Sequence, residues 1–118
     1  MINIYHYAFC TGIKELDTTR FQEHSWTSDG GITPRSFVYD IPEEREKFFR
    51  NAIEYTGNID ENKIYDIASN IIPKQYYEDD WYEMMIEKGY IGFRNTNMYD
   101  IYAHVIVLFE NILIKEVK

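Results

Sequence analysis

Ile2, Ile4, His6, Ala8 and Cys10 alternate with Asn3, Tyr5, Tyr7 and Phe9 at the start of the chain, and side chains that change face at every step belong to an extended strand. Both faces carry apolar or aromatic groups, so such a strand needs cover on two sides. Thr11-Gly12 interrupts the alternation. A second extended stretch, Thr19 to Thr27, runs into Ser28-Asp29-Gly30-Gly31, a run whose residues favour turns. The expectation is a long antiparallel hairpin, with Ser36 to Ile41 as a third strand that Pro34 and Pro42 confine to a short or edge role.

Helical spacing follows. Asp40 reads as a cap, Pro42 falls in the first turn, and Glu43, Glu44 and Glu46 meet the positive end of the helix dipole. Phe48, Phe49, Ala52 and Ile53 supply the apolar stripe, and Gly57 is the expected stop. A second helix is predicted from Asp60 to Pro73 on Ile64, Ile67, Ala68, Ile71 and Ile72. A third, Gln75 to Lys88, buries Tyr77, Trp81, Met84 and Met85 and ends at Gly89. Residues 98–114 admit two readings. Val105 to Phe109 and Ile112 to Ile114 could form two strands, but Glu110-Asn111 lacks the glycine usual in a tight hairpin. Asn97 with Asp100 resembles a capping box, and Ile101, Val105, Leu108 and Ile112 share a helical face, which favours a helix. The predicted class is therefore α+β: an N-terminal antiparallel β-hairpin, extended by the third strand, packed against three or four α-helices.

The 118 residues suit one domain, and 45% hydrophobic residues with 17% aromatics are too many for a disordered chain. Cys10 is the only cysteine. That excludes an internal disulfide, favours a reducing compartment and reads as a buried, inert thiol. No secretory leader or membrane-length apolar run is present, so the expected location is cytoplasmic.

Residues 40 to 87 contain thirteen Asp or Glu against five Lys or Arg, and so carry the whole net charge of -8. A one-signed surface repels phosphate and attracts basic surfaces. Direct nucleic-acid binding is accordingly disfavoured. Within the third predicted helix, Asp79, Glu83 and Glu87 lie at four-residue steps, about 6 Å apart along one face. That spacing is comparable to successive phosphates on one strand. Glu78, Asp79, Asp80, Glu83 and Glu87 would supply charge, and Tyr76, Tyr77 and Tyr82 contact area, toward a basic protein surface. A homodimer is also compatible with so many tyrosines. His6, His24 and His104 are too scattered for a metal site, and the glycines match no nucleotide-binding loop, so no cofactor, metal or catalytic residue is assigned.

The segment Ala68-Ser69-Asn70-Ile71-Ile72-Pro73-Lys74-Gln75-Tyr76-Tyr77-Glu78-Asp79, with Met84, Met85 and Gly89 beyond it, resembles part of the Ocr-type antirestriction proteins of phages. Similar segments occur in small phage accessory proteins. The resemblance implies a non-enzymatic inhibitor from a phage or mobile element, docking on a host nuclease or defence complex by imitating DNA. A second set, Tyr5-His6, Gly89-Tyr90-Ile91-Gly92, Val105 to Phe109 and Ile114-Lys115-Glu116-Val117, resembles mono-ADP-ribosyltransferase-like domains. That likeness implies a site for nicotinamide adenine dinucleotide held by His6 and a tyrosine, with His104 and Val105 standing where the family's catalytic glutamate is expected. An immunity protein neutralising a basic toxin would share the acidic logic.

Overall fold

A computed structural model describes residues 1–16, 36–42, 51–70 and 81–117. The opening alternation forms β1 (Ile2–Ala8), as expected, followed by β2 (Glu15–Leu16) and β3 (Ser36–Tyr39). The strand predicted at Thr19 to Thr27 and its turn lie outside the described residues. β1 instead pairs antiparallel with β3, through Tyr5 and Tyr39, and with β4 (Ile53–Ile59) along its whole length.

The α+β expectation is overturned. The chain builds mostly β structure, and among the described residues it has one α-helix, of seven residues. β4 occupies the end of the first predicted helix. Ile53, Tyr55 and Ile59 recur at even spacing along it, and residues of this type are stiff or bulky beside a helical turn but pack well on a pleated face. Gly57 consequently lies within a strand, not at a helix end. Asp60 does cap a turn, its carboxylate accepting the Asn62 amide at 3.0 Å. That turn is only the 3-10 segment Glu61–Lys63, and β5 (Ile64–Asp66) replaces the second predicted helix.

Of the third predicted helix, the described part is α1 (Trp81–Glu87), and residues 75–80 lie outside the described residues. Its stop is as read: Gly89 takes φ +89°, its amide donates to Ile86 O at 3.0 Å, and the Tyr90 amide donates to Met85 O at 3.0 Å. This is the paired C-terminal cap that a left-handed glycine permits. Beyond it come β6 (Gly92–Arg94), β7 (Val105–Leu108), β8 (Ile112–Leu113) and β9 (Lys115–Glu116). The preferred helix over residues 98–114 is thus also overturned in favour of strands. The 3-10 turn Asp100–His104 begins after Tyr99 with no side-chain cap, so the Asn97/Asp100 box does not form. Ile106 and Leu108 are buried while Val105 and Val107 are half-buried, a period of two.

The main sheet runs β5-β6-β7-β3-β1-β4-β9 and is mixed: β5 and β6 are parallel, and the remaining neighbours antiparallel. β3 is short, as expected, but interior. β2 and β8 form a separate two-stranded ribbon. One core gathers Ile4, Val38, Tyr55, Ile59, Ile64, Ile106 and Leu108 with Leu16 and Ile114. Tyr55 is fully buried, yet its hydroxyl reaches the Cys10 carbonyl at 2.6 Å and ties the segment after β1 to that core. A second core joins Met84 and Met85 of α1 to Tyr65 and Phe109, with Trp81, Phe93 and Val107 against it. Tyr65, Phe93 and Val107 alternate with Ile64, Gly92 and Ile106, so α1 covers the sheet face opposite the first core.

Candidate functional site

In α1, Trp81, Met84 and Met85 face the sheet, and a period of 3.6 turns Glu83, Ile86 and Glu87 away from it. Both carboxylates are exposed, and Ile86 beside them is 47% exposed. Two of the predicted contact residues therefore stand on one outward face, one turn apart. Tyr76, Tyr77, Glu78, Asp79 and Asp80 lie outside the described residues, and Tyr82 is described only as part of the α1 backbone.

Sequence spacing did not reveal a second polar group, assembled at one end of the sheet. Asp40 follows β3, Asp66 ends β5, Arg94 ends β6 and His104 precedes β7. Each stands two residues from a core position, namely Val38, Ile64, Gly92 and Ile106, so all four continue the core-side face beyond its apolar part. Arg94 bridges Glu61, Nη2 to Oε1 at 2.8 Å, and Asp40, Nη1 to Oδ2 at 3.6 Å. Its side chain is only 12% exposed, and its Nε is buried without a hydrogen-bond partner. His104 Nδ1 lies 2.8 Å from Asp40 Oδ1. Because a carboxylate only accepts, Nδ1 carries the hydrogen and Asp40 fixes the ring's tautomer.

Asp66 completes the group. Burial pulls its carboxyl upward, but hydrogen bonds from Thr96 and Ala68 and the charge of Arg94 together outweigh that and hold it below the ordinary value. The Thr96 hydroxyl donates to Oδ2 at 2.8 Å. Chemically the group offers an oriented imidazole and a guanidinium already shared between two carboxylates. No group of three metal-ligating side chains occurs among the described residues.

The remaining candidates are structural or isolated. His6 Nδ1 donates to the Phe37 carbonyl at 3.0 Å inside the sheet; burial lowers its pKa more than that hydrogen bond raises it. Cys10 is exposed, contrary to the expected buried thiol, and lies two residues beyond the end of β1. A groove of about 410 Å³ beside β4 is lined by Asn3, Thr56, Asn58, Leu113 and Lys115, with no carboxylate or imidazole in its wall. No described helix is long and apolar enough to cross a membrane.

These features define a mixed β-sheet protein with an acidic outward helix face and a carboxylate-rich sheet end. Comparison with protein-family models, curated proteins and solved structures found no match.

Proposed function

We propose that this chain is a non-enzymatic binding protein that acts in the cytoplasm by docking an acidic helix face on a basic protein surface. The observation that carries the reading is the Glu83–Ile86–Glu87 face. It sets an exposed apolar side chain beside two exposed carboxylates on a helix whose opposite side is packed in a core. A solvated face needs no such aliphatic group, whereas an interface gains area from it and orientation from the charges. The net charge of -8 favours the same class of partner. In this reading the target is a nuclease or defence complex with a nucleic-acid groove, and Tyr76, Tyr77, Glu78, Asp79, Asp80 and Tyr82 extend the contact.

The test is capture of partners from host lysate by the wild type and by the Glu83→Lys, Glu87→Lys double variant, at low and at moderate salt. A basic protein retained by the wild type, weakened by salt and lost with the double variant is expected. Equal retention by both proteins would remove α1 from the mechanism. Thermal-shift titration with nicotinamide adenine dinucleotide covers the competing class, since a ligand selective for the folded state must raise the melting temperature. Stabilisation at millimolar nucleotide would replace the present reading with a nucleotide-binding one.

A further inference from the structure

Residues 95–104 join β6 to β7, and side chains pin the connection at both ends. At the first end, Thr96 donates its hydroxyl to Asp66 at 2.8 Å and its amide at 3.3 Å. Asn95 closes the adjoining turn, its side-chain oxygen accepting the Asn97 amide at 3.0 Å and its carbonyl the Met98 amide at 3.2 Å. At the other end, His104 holds Asp40 through its ring at 2.8 Å, and its carbonyl accepts the Asp40 amide at 3.1 Å. Between the pins, Asp100 takes φ +58°, a left-handed conformation that aspartate tolerates better than most residues.

What this anchored segment displays is apolar. Met98, Tyr99 and Tyr102 are 42%, 75% and 55% exposed, and the two tyrosine rings meet edge to face with centroids 6.0 Å apart. Apolar area held in one shape and left in water is the arrangement of a pre-organised contact, in which little ordering remains to be done on binding. The charges nearby select the partner. Asp40, Asp66 and Asp100 belong to the segment or its anchors, and Arg94 beside them is shared by Asp40 and Glu61. Nucleic-acid bases stack on tyrosines too, but the excess of acidic over basic groups among these residues repels phosphates.

We infer that the 98–102 segment is a second docking surface, built to receive arginine side chains of a basic protein against Tyr99 and Tyr102. Arginine is favoured over lysine because its planar guanidinium stacks on an aromatic face while also pairing with carboxylates. The surface shares no residue with the α1 face, so the two are separable by experiment.

The probes are nona-arginine and nona-lysine peptides, titrated into the full chain by calorimetry at about 150 mM salt, where diffuse charge attraction is screened. The wild type should bind the arginine peptide at least about threefold more tightly than the lysine peptide. Tyr99→Ala with Tyr102→Ala should erase that preference, and Tyr99→Phe with Tyr102→Phe should keep it. The Glu83→Lys, Glu87→Lys variant should weaken both peptides alike and leave the ratio unchanged. Absence of the preference in the wild type, or its survival in the double alanine variant, would overturn the inference. Equal binding of a thymidine oligonucleotide would do the same.

Discussion

Among the described glycines, Gly92 is the position where one added carbon meets the closest contact. It lies in β6 opposite Leu108 of β7, and a Cβ there would approach the Val107 carbonyl oxygen and the Leu108 Cα more closely than such contacts normally allow. The nearest obstacle, the Val107 carbonyl oxygen, is a backbone atom of an interior strand, which cannot swing aside as the Leu108 Cδ2 tip beside it can. Gly92 has no left-handed φ, so the penalty of Gly92→Ala is steric. Forcing extra volume into a packed site typically costs about 1–3 kcal/mol, and a clash with a strand backbone belongs at the upper end. For a chain of 118 residues, an unfolding entropy of roughly 2.1 cal/mol/K per residue makes about 3 kcal/mol equal to a fall of roughly 12 °C in Tm. Calorimetric melting measures it directly. Amide exchange at Phe109, whose N–H donates to Ile91 O at 2.7 Å, would report loosening of β6 from β7. A Tm within about 3 °C of wild type would refute the claim that this approach sets the strand spacing.

Three further outcomes follow from the same geometry. Arg94→Met should lower stability by about 1–2 kcal/mol, chiefly by leaving Asp40 without its cation, because the contribution through the exposed Glu61 is small; an unchanged urea midpoint would contradict this. His6 keeps a lowered pKa when folded, so between the ordinary value of 6.5 and that lower value the unfolded chain binds more protons. Stability should therefore be fully present above about pH 6.5 and decline as the pH falls below it, with a smaller decline in His6→Asn; parallel Tm–pH curves for the two proteins would exclude the effect. Tyr55→Phe removes the hydroxyl held by the Cys10 carbonyl at 2.6 Å and should cost about 1 kcal/mol. It should also speed labelling of the exposed Cys10 thiol, and identical labelling rates would show that this hydrogen bond does not restrain the segment.

Local chemistry was legible wherever neighbours in sequence decide the outcome. The alternation of Ile2 to Ala8 is a strand, Gly89 ends α1 in the left-handed cap expected of it, and Met84 and Met85 are its buried stripe. Glu83 and Glu87 were recognisable as an outward pair from their four-residue spacing. Ile53 to Ile59 and Ile64 to Asp66 were misread because branched residues at mixed spacings fit a helical stripe and a buried strand equally well in isolation. The parallel and antiparallel partners that settle the matter come from 28 and more residues away in the chain.

What the sequence alone determined is the chain's charge, its single cysteine, its first strand and the end of α1, since each depends on residue type or on spacing within one element. Tertiary structure alone decided that Asp40, Asp66, Arg94 and His104 meet at one end of the sheet and that the Tyr99–Tyr102 segment is pinned between them. Four strands distant in the chain had to fall into register before those side chains could share a face, and backbone pairing, not local preference, fixes that register.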